Sequence, residues 1–395
     1  MRVLLGAFGD PGHAFPMLAL GEALVARGHA VAIQTWRRWR EDAEAAGMTF
    51  AAAPEYQVFP TRERPLKPFE AAVLAARETL PVVRDFAPHV AVADILTVAP
   101  ALAAELCGVP VATLVPHVHP DVPSGFPPYS LGARLPRTAL GARLWTLTDP
   151  LIRHGLERGR AEYNDCRAQL GLAPLPYRHS GLSRSLTLVA TLPQLEYPRR
   201  WPSYVRIVGP LLWEPAGGAA VAPVEGGGPV VLVAPSTAQD RERRLLRAAL
   251  DALATEPLRV IASTAGDDDL AAPPNTVLAP WISYARTLPR CDLVICHGGH
   301  GTLARALVSG CPVVVSPAGG DMGENAARAD WAGVGVRIPA RFSGPTGLRL
   351  AVRRALRDAR ARERAGAIAA WAAAHPGPER AAREVEDWAE RIGAA

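Results

Sequence analysis

The chain reads as an α/β protein made of two Rossmann-like halves facing one another across a cleft. Three observations predict this. Short apolar runs alternate with helical stretches along most of the sequence, as a doubly wound parallel sheet requires. The 395 residues exceed what one hydrophobic core organises comfortably. Near the middle, residues 208–229 are rich in Gly and Ala and show no periodicity, so the alternation breaks there.

The elements follow in order. Residues 2–7 form an apolar run of strand length. Residues 14–27 carry Phe15, Leu18, Leu20, Leu24 and Val25 at helical spacing, closed by Gly28. A strand over 30–35 and a helix over 37–46, stopped by Gly47, come next. Residues 68–86 read as a long amphipathic helix, 90–94 as a strand, 98–107 as a helix and 109–115 as a strand. Residues 116–136 are rich in Pro, Gly and His and predict an irregular loop. Residues 139–170 are helical in character, and 186–191 return to the sheet. The second half repeats the pattern, with strands at 230–234, 259–263, 277–279, 293–296 and 313–316. Its helices fall at 240–253, 302–309 and 325–332. A last amphipathic helix spans 378–392, with Val385, Trp388 and Ile392 apolar. The expected organisation is a first domain over 1–207, a linker over 208–229, a second domain over 230–377 and a terminal helix over 378–395.

Bulk properties exclude several classes. Nearly half the residues are apolar and about a fifth charged, an ordinary globular balance. The net charge of +5 is small and its arginines are dispersed, which argues against a nucleic-acid surface. Five cysteines without paired metal spacing suit a reducing cytoplasm. No run approaches the length of a membrane span, and the opening Met1 to Gly6 is too short for a signal peptide. Oligomeric state is open, a homodimer included.

The most informative stretch is Cys296-His297-Gly298-Gly299-His300-Gly301-Thr302. An apolar strand runs into a glycine turn from which a helix starts. Such a turn leaves backbone N–H groups bare at the positive end of a helix dipole, a setting for a diphosphate. His297 and Thr302 add side-chain donors. About twenty residues later Pro317-Ala318-Gly319-Gly320-Asp321 follows the next strand. Ligands of open α/β sheets bind outside the carboxyl ends of strands, where both loops lie.

Residues 281–335 resemble the donor-binding signature of family 1 glycosyltransferases with the GT-B fold, especially bacterial ones that decorate natural products. The resemblance rests on His297-Gly298-Gly299-His300-Gly301-Thr302, Ala306-Leu307-Val308-Ser309-Gly310-Cys311-Pro312, Pro317 to Asp321 and Asn325-Ala326. It extends to Gly9-Asp10-Pro11-Gly12-His13-Ala14-Phe15-Pro16, to Glu196-Tyr197-Pro198 and to Val208-Gly209-Pro210-Leu211, and so covers most of the chain. Two motif sets in the correct order are far more specific than one glycine loop.

The resemblance implies transfer of a sugar from a nucleotide diphosphate. His13, in a turn after the first strand, is a base for the acceptor hydroxyl. A nearby helix N-terminus should lower its pKa, while a carboxylate partner pulls the other way. Asp94 is implied as that partner. A plainer reading also stands, in which His13 caps its turn and Asp94 N-caps the next helix. His297, Gly298, Gly299, Gly301 and Thr302 would hold the diphosphate, aided by Ser236 and Thr237. Pro235 departs from the Gly the family often has there. Trp281 and Ile282 would meet the nucleobase, with an ordinary interface Trp equally open. Arg305 stands where plant members carry a Glu that accepts from ribose hydroxyls; its presence suits a dTDP donor, although a solvated helix-face Arg reads the same way.

Asp321 would accept from sugar hydroxyls. Met322 replaces the usual Gln, which suits a deoxysugar. Phe59, Phe69, Phe126, Tyr129 and Trp145 would give the acceptor pocket an apolar, aromatic lining, joined by His117 and His119. The expected acceptor is an apolar aglycone such as a polyketide. No cofactor and no metal are implied, the nucleotide sugar being a co-substrate; the run Asp267-Asp268-Asp269 reads as a solvated turn. Two alternatives share the architecture: a nucleotide-sugar 2-epimerase, disfavoured by the aromatic loops, and an inactive helper of a glycosyltransferase, disfavoured by His13, Asp94, His297 and Asp321. The segment Gly6 to Gly12 does not match a dehydrogenase dinucleotide fingerprint.

Overall fold

The computed structural model describes residues 1–55, 68–177, 181–236, 243–264, 266 and 270–394, apart from the side chains of Pro68 and Phe69. Phe59, Thr237 and the run Asp267 to Asp269 lie outside the described residues.

The first half folds as β1 (Arg2–Gly6), α1 (Pro11–Ala26), β2 (Ala30–Thr35), α2 (Arg40–Ala45), β3 (Thr49–Ala52), α3 (Pro68–Phe86), β4 (Val90–Asp94), α4 (Ala99–Leu106), β5 (Val111–Val115), α5 (Ala139–Trp145), α6 (Asp149–Gln169), β6 (Thr187–Val189) and β7 (Val205–Ile207). Its strands form one sheet in the order β3-β2-β1-β4-β5-β6-β7, and every pairing is parallel. The second half contributes β8 (Val230–Ala234), α7 (Arg244–Leu253), β9 (Arg259–Ser263), β10 (Thr276–Ala279), α8 (Tyr284–Thr287), β11 (Leu293–Cys296), α9 (His300–Val308), β12 (Val313–Val315), α10 (Met322–Ala332), β13 (Gly335–Arg337), α11 (Pro345–Arg357), α12 (Ala359–Ala374) and α13 (Gly377–Arg391). Its sheet runs β10-β9-β8-β11-β12-β13, again all parallel. These are the two Rossmann-like sheets of a GT-B fold. The central strands β1, β4, β8 and β11 are almost wholly buried, which explains why they are continuous apolar runs rather than alternating ones.

Helix starts differ from expectation for local reasons. α1 begins at Pro11, not residue 14, because a proline at the first position lacks the N–H that would be orphaned there. His13 therefore sits in the first turn of α1. Asp149-Pro150 divides the long helix expected over 139–170 into α5 and α6, joined by a 3-10 turn. α9 and α10 each begin two or three residues early, at His300 and Met322.

α13 returns to the first half. Val385 and Trp388 are buried in the core formed by β1, β2 and α1, and the Trp388 indole donates to Ser185 Oγ at 2.6 Å. Arg27 and His29 both meet Glu386. The start of the 208–229 segment packs on the first half: Val208, Leu211 and Trp213 are buried in the same core, and Trp213 Nε1 donates to Glu22 at 2.6 Å. Among the described residues no helix is long and apolar enough to cross a membrane.

Candidate active site between the two halves

In the first sheet the strand order reverses between β1 and β4, and the crevice at their carboxyl ends is where ligands of such sheets bind. His13 follows β1; Asp94 ends β4. His13 Nδ1 lies 2.9 Å from Asp94 Oδ1, and the backbone N–H of Phe8 donates to Asp94 Oδ2 at 3.3 Å. An ionised carboxylate only accepts, so Nδ1 carries the proton and Nε2 keeps a lone pair. Asp94 does not cap α4, whose N-cap is Val98.

Burial lowers the His13 pKa. The charge and hydrogen bond of Asp94, with Asp10 and Asp321 further off, outweigh that and raise it above the ordinary histidine value. The carboxylate thus prevails over the lowering expected from the helix N-terminus.

The second sheet reverses between β8 and β11. His297 follows β11, and its Nδ1 faces the Ala234 carbonyl at the end of β8, 3.3 Å away. Gly298 has φ of +92°, and a Cβ there would lie 2.8 Å from the Met322 carbonyl oxygen. At Gly299 a Cβ would collide with the His297 ring. Gly298 therefore requires glycine, whereas a side chain at Gly299 would push the His297 ring aside. Gly299 is the N-cap of α9 and offers no capping side chain, so the first N–H groups of the helix lie open, as anion binding needs. Gly301 is exposed, Thr302 half-buried and Ser236 buried at the same edge.

The loop at the start of α10 closes this edge. Asn325, fully buried, donates from Nδ2 to the Gly298 carbonyl at 2.9 Å and ties the two loops together. Asp321 is the N-cap of α10, yet its carboxylate makes no capping bond. Met322 is buried against Gly298. Trp281 is 54% exposed, while Ile282 is buried.

The two edges meet. The loop over 116–136 reaches across so that Gly132 packs on Gly323, with a Cβ at Gly132 only 2.7 Å from the Gly323 carbonyl oxygen. His117 sits edge-to-face with His13, ring centroids 6.4 Å apart, and Tyr129 Oη is 3.2 Å from His117 Nδ1. Asp321, from the second half, acts electrostatically on both histidines.

Below them Arg328 of α10 bridges the halves. It donates to Glu196 at 2.6 Å and Glu324 at 2.8 Å, with its guanidinium 4.2 Å from the centre of the Tyr197 ring. Burial raises both carboxyl pKa values, and the one shared guanidinium offsets only part of this. Glu196 also accepts from the His119 N–H. The sequence marks Glu196 and Tyr197 as motif letters without revealing this bridge.

Other expected residues fare differently. Phe126 stacks on Tyr197 in the packing between the halves, at 5.7 Å between centroids. Trp145 is half-buried on α5, and no described contact joins it to His13. Phe59 and the Phe69 side chain fall outside the description. Arg305 is buried, not solvated: it donates to the Trp213 carbonyl and lies 3.6 Å from Glu214, fastening α9 to the 208–229 segment.

His300, which no expectation singled out, is buried with neither ring nitrogen at hydrogen-bond geometry. Burial holds it neutral, its pKa lowered to about 3. Among the described residues no group of three or more His, Cys, Asp or Glu could hold a metal ion. A polar cavity of about 540 Å³, lined by His119, Arg160, Tyr177, Arg184, Arg199 and Tyr204, includes neither His13 nor His117.

The chain is similar to several known proteins. Residues 244–388 match the family described as the C-terminal domain of erythromycin biosynthesis protein CIII-like proteins. The chain is 29% identical to a 4'-demethylrebeccamycin synthase of Lentzea aerocolonigenes, over 93% of this chain and 94% of that one. It is 28% identical to an O-mycaminosyltylonolide 6-deoxyallosyltransferase of Streptomyces fradiae, over 99% and 98%. The solved structure of glycosyltransferase VinC in complex with dTDP superposes with a TM-score of 0.71 at 21% identity, covering 99% of this chain and 100% of that one.

Proposed function

We propose that this chain is a glycosyltransferase of the bacterial natural-product type with the GT-B fold, and that it moves a sugar from a dTDP- or UDP-type donor to an apolar aglycone with inversion. The observation that carries this is the His13–Asp94 pair opening into the same crevice as Asp321 and the bare N-terminus of α9.

The chemistry follows from the tautomer. An acceptor hydroxyl hydrogen-bonds to His13 Nε2, its oxygen attacks the anomeric carbon, and its proton passes to the imidazole. The bond from that carbon to the diphosphate breaks on the opposite side, which inverts the centre. Asp94 stabilises the imidazolium as it forms. The departing negative charge collects on the diphosphate, against the N–H groups of α9 with His297, Thr302 and Ser236. Trp281 would lie against the nucleobase.

Met322 in place of an amide, beside Asp321, supports a deoxysugar donor. The deoxyallosyl transfer named for the Streptomyces fradiae relative and the dTDP held by VinC point the same way. The test is incubation with dTDP-glucose, dTDP-6-deoxy and dTDP-2,6-dideoxy sugars against a panel of polyketide aglycones. Released dTDP with a glycosylated product is expected, fastest with the deoxysugars. A clear preference for glucose ends the deoxysugar reading; no product from any pair ends the transferase reading.

A further inference from the structure

His13 is not alone in the crevice. His117 stands beside it with Nδ1 2.8 Å from the Val118 carbonyl oxygen. A carbonyl accepts and never donates, so Nδ1 carries the ring proton. The Tyr129 hydroxyl, 3.2 Å from the same nitrogen, then meets it as an acceptor. Burial lowers the His117 pKa against the pull of the Val118 carbonyl and Asp321, and the ring is neutral. Nε2 keeps its lone pair, and no described residue donates to it.

With His13 in the neutral form that acts as a base, two adjacent imidazoles each present a lone pair, and neither presents a proton. A single hydroxyl has one proton and satisfies one of them. The other nitrogen requires a second donor from the substrate. His117 shares the first half with His13 and lies on the loop beside it, whereas the sugar has Asp321 from the second half.

Resting on the transfer reading above, we propose that His117 reads the acceptor: its Nε2 takes a hydrogen bond from a second hydroxyl neighbouring the one His13 deprotonates. The preferred acceptors are therefore aglycones bearing paired hydroxyls, on adjacent carbons or across a ring edge. An acceptor lacking the second hydroxyl leaves a desolvated nitrogen unpaired, at a loss of about 10- to 100-fold.

The test is the ratio of kcat/KM for matched diol and monohydroxy acceptors with one dTDP-sugar. Wild type is expected to favour the diol about 10- to 100-fold. In His117→Phe, which keeps a planar ring without the lone pair, the ratio should collapse toward one. In His117→Gln, whose side-chain carbonyl can accept, part of it should return. An unchanged ratio in His117→Phe overturns the proposal, and so does a wild type indifferent to the second hydroxyl. Equal loss on both acceptors overturns it too when dTDP still raises the melting temperature of the variant; His117→Leu takes its place when it does not. A wild type inactive on every acceptor would instead remove the transfer reading beneath it.

Discussion

His13 and His297 both stand where the strand order of a parallel sheet reverses, yet their Nδ1 atoms face different partners. His13 follows β1 and reaches across to the carboxylate that ends β4, whereas His297 follows β11 and reaches back to a neutral carbonyl ending β8. A carboxylate orients the ring and adds a full opposing charge to the hydrogen bond; a carbonyl supplies the hydrogen bond without that charge. Around His13 the polar groups facing the crevice are side chains. Around His297 the glycines strip side chains away and leave the first backbone N–H groups of α9 open. On the proposed reading, one crevice topology serves proton transfer in one half and anion binding in the other.

Four substitutions break or sharpen this contrast. The largest effect is expected from His13→Ala, which should cut kcat/KM by about 10²- to 10⁴-fold while leaving the dTDP dissociation constant in place, as turnover assays and calorimetry would show. Near-normal turnover would remove the base from His13.

Next comes Arg328→Met, which strands Glu196 and Glu324 where the halves meet. Breaking such a buried network costs about 3–5 kcal/mol, readable as a lower urea midpoint. A midpoint within error of wild type would show that the bridge does not hold the edges together.

Asp94→Asn should lower the rate plateau about a hundredfold. It should also move the rising limb of the pH–rate profile. A base works when unprotonated, so wild-type activity climbs with pH through a His13 pKa raised above 6.5. Removing the charge lowers that pKa, and the limb should shift to lower pH. A limb that stays put would mean that Asp94 does not set His13 basicity.

The smallest change is expected from Gly299→Ala, which displaces the His297 ring. Weaker dTDP binding by about tenfold should follow, with the pH limb untouched. Unaltered dTDP affinity would show that the turn does not hold the nucleotide.

The same contrast explains what the sequence reveals. β1, β4, β8 and β11 are buried, continuously apolar runs, and His13, Asp94 and His297 each follow or end one of them, so their placement was legible. The unanticipated β3, β7 and β13 are sheet-edge strands that are mostly only partly buried and carry no continuous apolar run. Arg328 and Glu196 lie 132 positions apart and leave no spacing for a reader to find. Arg305 looked exposed because helical phase cannot reveal that the 208–229 segment folds back over it. Phe126 was aromatic in the right loop, but which ring it stacks on is decided by Tyr197, seventy-one residues further on.

The division of labour between the two edges is tested most directly by measuring dTDP affinity and single-turnover sugar transfer together in His13→Ala and Gly299→Ala. The expected outcome is crossed: the first variant binds dTDP normally and transfers at least a hundredfold more slowly, and the second binds about tenfold more weakly yet transfers well at saturating donor. If both lose affinity and chemistry in parallel, or if His13→Ala transfers at the wild-type rate, base and cradle are not the separate parts described here.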